Sequence, residues 1–253
     1  MRSASPPLTQ PAVAIRGLTH RYGSQVVIDG LDLDVGSGEF VCLVGASGCG
    51  KTTLLHLIAE LETPSAGVIG RSAGRTAVMF QENGLFPWLT ASRNVELALE
   101  FSGVTSRRQR RTRARELLEV VRLGNALHKR PHELSGGMRQ RVALARALAQ
   151  EAELLLMDEP FGALDAMTRD LLHDELERVC AERELSVLFV THNVREAARL
   201  GDRIVLLGSR PGRVIETFDV SIPRPRRIDS TEIATLAAHI TDQLRQEVIR
   251  HGR

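Results

Sequence analysis

The segment Gly45-Ala-Ser-Gly-Cys-Gly-Lys-Thr-Thr53 constrains the fold more than any other stretch of this chain. It has the form Gly-x4-Gly-Lys-[Ser/Thr] and lies between a short apolar run, Phe40–Val44, and a helical stretch from Lys51 to about Glu60. A short run with no polar interruption suits a strand buried on both faces of a parallel sheet. Glycines let backbone N–H groups converge on an anion without interference from Cβ atoms. The helix that follows adds the positive end of its dipole. The pattern predicts a nucleotide phosphate site built from Gly45, Ala46, Ser47, Gly48, Cys49, Gly50, Lys51, Thr52 and Thr53. Lys51 is expected to hold the β- and γ-phosphates as a point charge and the Thr52 hydroxyl to ligate Mg2+. Lys51 and Lys129 are the only lysines among 33 basic residues, so a lysine in such a loop is easy to notice.

The rest of the chain supplies a setting for that loop. Leu31, Leu33 and Val35 alternate with Asp32 and Asp34 at the end of a strand-like block, Val13–Val35, as in a half-buried antiparallel strand. Short apolar runs return at Leu154–Met157, Val187–Thr191 and Ile204–Leu207, and a last strand is expected at Val214–Phe218. Strands separated by helical segments predict an α/β core with a parallel sheet. Residues from about 85 to 150 read as mostly helical, an insert of about that length. A tail without structure is expected over 1–11, a main domain over 12–220, and a linker with an amphipathic helix over 221–253. In that last segment Asp229 with Glu232 resembles a capping box, and Ile233, Leu236, Ile240, Leu244 and Val248 share a helix face.

A second chemical signal follows Leu154–Met157: the pair Asp158-Glu159. In open α/β sheets ligands sit at the carboxyl ends of strands. With the phosphate loop nearby, Asp158 is expected to hold Mg2+ through its water shell and Glu159 to polarise an attacking water.

Composition sets limits on partners. A hydrophobic content of 43% over 253 residues can bury a sizeable core. The net charge of +2 neither demands nor excludes nucleic acid. The basic run Ser106–Val121, SRRQRRTRARELLEVV, reads as a solvated helix face over a Leu/Val stripe; no aromatic stacking residues lie around it, so no nucleic-acid partner is expected. Cys42, Cys49 and Cys180, without CxxC spacing, are expected to be reduced thiols. No apolar run reaches the roughly 18–20 residues needed to span a bilayer. The start of the chain lacks the apolar stretch of a secretion signal. Any membrane role is therefore expected to come through a partner.

The remaining motif is Leu134-Ser-Gly-Gly-Met-Arg-Gln140, ahead of a helix expected from Met138 to about Gln150 and patterned by Val142, Leu144, Ala145 and Leu148. It gives the chain a second helix N-terminus suited to an anion, where a simple ATPase needs one. LSGGMRQ closely resembles the signature motif of ABC transporter ATPases, and it falls between the phosphate loop and the acidic pair as it does in that family. The resemblance runs from about Val13 to Phe218. It implies a P-loop NTPase fold: a RecA-like core with an antiparallel β subdomain and an inserted helical subdomain. It further implies that Tyr22 stacks on adenine. Gln81 matches the glutamine that contacts Mg2+ and water and senses the permease. Gly162–Asp165 matches the D-loop, and His192 matches the switch histidine at the γ-phosphate. In the family, the signature loop of one subunit closes over ATP on the other. Ser135, Gly136 and Gly137 are thus implied to bind ATP across a head-to-tail homodimer.

The segments FPWLTASRNVELAL, THNVREAARLGDRIVLL, SRPGRV and SIPRPRR resemble ATPases of the nitrate/sulfonate/taurine importer group, most of all those for aliphatic sulfonates. That resemblance implies integral membrane permease subunits, an extracytoplasmic solute-binding protein in the complex, and a peripheral place on the cytoplasmic face of the inner membrane. Gly84–Thr90, GLFPWLT, is expected to form a groove for a cytoplasmic helix of the permease. The sequence departs from the family at Asn193, where aspartate is usual, and the stretch from Pro64 to Phe80 is short enough to omit a hairpin. A soluble ABC ATPase acting on nucleic acid or ribosomes, and an exporter subunit, stay open as alternatives. The first usually carries two cassettes or a long insert between phosphate loop and signature, and neither is present.

Overall fold

The computed structural model describes residues 10–209 and 211–251. The tail expected over 1–11 lies outside them except for Gln10 and Pro11; the Pro11 carbonyl accepts a hydrogen bond from Ser72 Oγ at 2.7 Å.

The strands are β1 (Val13–Tyr22), β2 (Gln25–Val35), β3 (Phe40–Gly45), β4 (Ala66–Arg71), β5 (Thr76–Met79), β6 (Leu154–Asp158), β7 (Ser186–Val190), β8 (Arg203–Leu207) and β9 (Val214–Asp219). The helices are α1 (Lys51–Ile58), α2 (Ala91–Phe101), α3 (Arg107–Val120), α4 (Gly136–Leu148), α5 (Ala166–Arg183), α6 (Val194–Leu200) and α7 (Thr231–His251). A six-stranded sheet runs β5-β6-β7-β3-β8-β9, parallel except for the antiparallel edge strand β9. A second, antiparallel sheet has the order β2-β1-β4.

Successive side chains of a strand point to opposite faces, and here both faces are covered. Cys42, Val44, Leu155, Met157, Val187, Phe189, Ile204 and Leu206 join a core with α2–α6. Their neighbours Val41, Leu43, Leu154, Leu156, Leu188, Val190, Val205 and Leu207 join a separate core with α1, β1 and β2. A polar residue at any of these positions would meet apolar packing whichever way it pointed, which is why the runs read as continuously hydrophobic. The expected strands stand with shifts of a residue. β4 and β5 are additions within the short stretch from Pro64 to Phe80; β4 pairs with β1 and β5 with β6, so the two form no hairpin with each other, and Thr76–Met79 is too short to declare itself before it pairs.

The basic helix α3 behaves as a solvated face: Ala114, Leu117 and Leu118 are buried and most of its arginines are exposed. α4 starts two residues before the expected position, at Gly136, so that Ser135 is its N-cap and accepts from the Met138 N–H at 3.2 Å.

Two expectations for the C-terminal segment are corrected. The cap of α7 is not an Asp229–Glu232 box: the helix begins at Thr231, Ser230 Oγ accepts from the Ile233 N–H at 3.3 Å, and Asp229 is held by Arg227 at 3.0 Å. The apolar face is also shorter than expected. Ile233, Ala237 and Ile240 are buried, Leu236 and Leu244 are partly so, and Val248 is 47% exposed, while its neighbour Glu247 is the residue that turns inward, beside Gly208.

Candidate functional site

The ends of β3, β6 and β7 lie side by side in the sheet, and the turns that leave them build the site. After β3 the chain wraps through Ala46–Gly50 into α1. Gly48 and Gly50 have φ of +77° and +94°, a region that only glycine enters without strain. A Cβ at Gly45 would lie 2.8 Å from both Cys49 Sγ and the Leu207 carbonyl, so the start of the loop has no room for a side chain. Lys51 Nζ donates to the carbonyls of Gly45 and Ala46, each at 2.9 Å. The lysine is thus curled over its own loop. The Cys49 side chain is fully buried, and burial pushes its thiol up, so only its backbone faces an incoming anion.

Thr52, on the first turn of α1, donates from Oγ1 to Asp158 Oδ2 at 2.7 Å. Desolvation holds the Asp158 carboxyl above the ordinary carboxylate range, and the neighbouring Glu159 adds to this. The Thr52 hydroxyl and the Lys51 ammonium pull the other way. Glu159 has φ of +47°, a left-handed conformation uncommon for a residue with a side chain. Four contacts hold it there. Its N–H donates to the Val190 carbonyl at 2.9 Å, its carbonyl accepts from Gln140 Nε2 at 3.1 Å and from the Gly162 N–H at 3.2 Å, and its carboxylate lies 3.2 Å from His192 Nδ1. Strain maintained by surrounding bonds is frequent where a reacting group must be aimed.

His192 is 68% exposed at the mouth, on a turn that is itself anchored. Thr191 Oγ1 donates to the buried Glu196 carboxylate at 2.5 Å and accepts from the Asn193 N–H at 3.0 Å. Asn193 Oδ1 then caps α6 by accepting from the N–H groups of Arg195 and Glu196. The asparagine in place of aspartate therefore keeps the capping function.

These turns bound an open cleft of about 710 Å³. Of the expected residues, Tyr22, Ser47, Gly48, Gly50, Lys51, Thr52, Thr53, Gln81, Asp158, Glu159 and His192 line it. Gln25 and Val27 line it too, and sequence reading missed them; the signal available was that β2 returns directly opposite Tyr22. Ser135, Gly136 and Gly137 do not line the cleft. Gly136 and Gly137 pack on Ala163 and Leu164, where a Cβ on Gly137 would come within 2.9 Å of Leu164 Cδ2.

Other residues became visible only in three dimensions. Gln140, the last residue of LSGGMRQ, spans from the Glu159 carbonyl to the Ala163 N–H, which donates to its Oε1 at 3.0 Å. The signature helix thus touches the backbone of the acidic turn. Asn94 is fully buried and holds the loop before α2: its Oδ1 accepts from Phe86 N–H at 2.9 Å and its Nδ2 donates to the Thr90 carbonyl at 3.0 Å. On that loop Phe86 and Trp88 lie 5.6 Å apart, and Trp88 is 68% exposed. Arg146 of α4 ties the preceding stretch by donating to the carbonyls of Asn83 and Gly84.

A glycine-rich turn between a parallel strand and a helix, facing a carboxylate pair at the end of a nearby strand, defines a P-loop nucleotide hydrolase. The chain belongs to the ABC transporter family, whose model matches residues 28–162. It is 41% identical over 254 residues to the aliphatic sulfonates import ATP-binding protein SsuB 1 of Mesorhizobium japonicum, covering 95% of this chain and 94% of that one. The SsuB protein of Burkholderia ambifaria is 43% identical over 99% of this chain and 76% of its own. The bicarbonate transport ATP-binding protein CmpC of Synechocystis is 47% identical over 214 residues, 81% of this chain and 32% of that protein. Among solved structures, the ATP-binding cassette MJ0796, as a dimer in a post-hydrolysis state bound to ADP and Pi, superposes with a TM-score of 0.76. It has 32% identity and covers 83% of this chain and 100% of its own. The α/β fold is that of an ABC ATPase, and its nucleotide is ATP.

Proposed function

We propose that this chain hydrolyses ATP to drive import of a small organic or inorganic anion, an aliphatic sulfonate foremost, through a separate membrane permease. Support for import comes from the sulfonate- and bicarbonate-transport relatives. Among the described residues no helix is long and apolar enough to cross a membrane; in this reading the translocation path is supplied by the permease. Docking falls to the exposed Phe86–Trp88 loop, which Asn94 and Arg146 hold in place. The working position is then the cytoplasmic face of the inner membrane, beneath a permease that receives solute from an extracytoplasmic binding protein.

The observation that carries the mechanism is a division of the site. The cleft gathers Lys51, Thr52, Asp158, Glu159 and His192, while the Ser135–Gly137 helix start opens elsewhere on the chain. In this reading two copies related head-to-tail complete two sites, each with the phosphate loop of one copy and the signature of the other; the similar cassette MJ0796 is dimeric. When a triphosphate enters, Lys51 exchanges its own loop carbonyls for phosphate oxygens, and the N–H groups of Ser47–Thr53 surround the rest. Tyr22 carries the adenine.

The Thr52 hydroxyl and Asp158 carboxylate, already 2.7 Å apart, form an all-oxygen set that fits Mg2+, with Gln81 at the same wall. Two protein oxygens leave water and phosphate oxygens as the other ligands, which suits a small hard cation that dehydrates reluctantly. That ion would supply charge neutralisation to the β- and γ-phosphate oxygens. Glu159 accepts the proton of the attacking water as the bond from γ-phosphorus to the bridging oxygen breaks, giving ADP and Pi. His192 aims the Glu159 carboxylate.

Replacing Glu159 with Gln tests this. Loss of a general base is worth roughly 10²–10⁴-fold in turnover. ATP binding should persist and size-exclusion chromatography should show an ATP-dependent dimer. Turnover at the wild-type rate would refute the assignment.

A further inference from the structure

We infer that Glu62 is a positioning residue for the adenine-bearing face of Tyr22, a role that rests on the reading of Tyr22 as the base platform. Tyr22 ends β1 at the open side of the cleft and is 49% exposed, so little packing restrains its ring. Its hydroxyl instead donates to Glu62 Oε2 at 2.5 Å. The ring of the buried His20, two residues back on the same strand, meets it edge-on with centroids 4.8 Å apart.

Glu62 is itself held from a further side: His56 Nδ1 lies 3.0 Å from its Oε1. His20 Nε2 lies 3.2 Å from Oε2 without the geometry of a hydrogen bond, so that contact is electrostatic. A carboxylate has two oxygens and about four lone-pair sites, enough for both bonds at once. The bond from Tyr22 holds the Glu62 carboxyl below the ordinary range, and His56 and His20 act in the same direction.

The backbone explains how a residue forty positions away in sequence arrives there. α1 ends in a Schellman turn: the Leu61 N–H donates to the His56 carbonyl at 2.9 Å and the Glu60 N–H to the Leu57 carbonyl at 3.2 Å. Glu60 takes φ of +58° to close it. The chain turns back towards β1, where the Ser65 N–H donates to the Thr19 carbonyl and Ser65 Oγ accepts from the Arg21 N–H. Glu62 is thus fixed between the end of the phosphate-loop helix and the strand that bears the tyrosine. Because His56 lies on α1 itself, the base platform and the phosphate cradle share one rigid mount.

A probe without a base separates this role from general damage. Affinities for ATP and for inorganic tripolyphosphate are measured by calorimetry on the full chain. The variants are Glu62→Ala, Glu62→Gln, Tyr22→Phe and the Tyr22→Phe/Glu62→Ala double variant. Glu62→Ala should weaken ATP roughly 3–10-fold, the size of one hydrogen bond, and leave tripolyphosphate unchanged. Glu62→Gln, whose amide oxygen still accepts, should recover most of the loss. In the Tyr22→Phe background Glu62→Ala should add nothing. Tyr22 is the only tyrosine in the chain, so its ionisation can be followed alone at 295 nm; Glu62→Gln should move that transition to lower pH. Unchanged ATP affinity in Glu62→Ala would overturn the inference. So would an equal loss for tripolyphosphate, additive effects in the double variant, or an unmoved tyrosine transition. Tyr22→Ala reports on the platform separately. A loss of roughly 5–100-fold for ATP alone is expected from stacking; no loss would remove the platform reading itself.

Discussion

Arg226 is the residue whose replacement should cost this fold most for a position that, on paper, belongs to a linker. Its side chain is buried, at 6% exposure, yet among the described residues it pairs with no carboxylate; it donates instead to backbone carbonyls. Gly201 accepts at 2.5 Å, Ile222 at 2.7 Å and Val220 at 3.0 Å, while Arg199 and Ala198 lie at 3.2 and 3.4 Å. Three of these carbonyls belong to the last turn and C-cap of α6, where helical geometry leaves acceptors unpaired and the dipole favours a cation. The other two belong to the segment that carries the chain from β9 towards α7. The guanidinium therefore clips the C-terminal segment to the end of α6. Burial pulls its pKa down, but not out of the charged state at neutral pH.

Arg226→Ala strands the three close acceptors in a dry site. Each unsatisfied buried group costs about 1–3 kcal/mol; relief from burying the charge and entry of water reduce the sum, leaving about 3–5 kcal/mol. For a chain of this size that corresponds to roughly 6–20 °C in Tm. The comparison is Arg224→Ala. Arg224 is 31% exposed, bridges Glu177 and Asp202 at 2.8 and 2.7 Å and donates to the Leu200 carbonyl at 2.7 Å; water can replace these partners, so its loss should cost about 1–2 kcal/mol. Urea unfolding and limited proteolysis read the difference, with new cleavage between residues 221 and 230 only in Arg226→Ala. If the two variants unfold within about 1 kcal/mol of each other, the clip contributes no more than a surface ion pair and the reasoning fails.

Two other perturbations are direct. Lys51→Ala removes a charge-assisted phosphate contact worth about 1.5–3 kcal/mol, and calorimetry should find ATP binding weaker by roughly 10–100-fold; unaltered affinity would count against the phosphate-loop assignment. Asp158→Asn tests the raised carboxyl. Between the ordinary carboxylate pKa and its higher native value, the folded chain binds more protons than the unfolded one, so stability falls as pH rises through that window. Above it the penalty is complete. The nucleotide-free Asp158→Asn chain should thus resist urea better than wild type at neutral pH, converge with it in acid, and lose Mg2+-dependent hydrolysis; a less stable variant at pH 7 would contradict the sign.

The local motifs were legible because each is complete within a few consecutive residues. A glycine loop, a lysine and a helix start bind phosphate by backbone geometry, so Gly45–Thr53 declared itself before any neighbour was known. The buried strands were legible for a similar reason: continuous apolar runs such as Leu154–Met157 have one stable home, with both faces covered. The helix that follows Leu134 was legible from its apolar pattern, although it begins at Gly136 rather than Met138 and only that earlier start makes Ser135 its N-cap.

What tertiary structure alone decided was partnership between distant residues. Thr76–Met79 is a strand only because β6 offers an edge for it, and no short-range pattern specifies that pairing. Gln140 reaches the Glu159 backbone and Glu62 reaches Tyr22 because two turns deliver them there, while as isolated letters both are ordinary surface residues. Arg226 lies among prolines and arginines that read as solvated, and its burial depends on where α6 ends. Asp229 looked the better cap, yet the path from β9 put the helix start one residue later and gave the task to Ser230. A sequence states which groups can bond; the separation a chain must close before two of them meet is settled only when the whole core has formed.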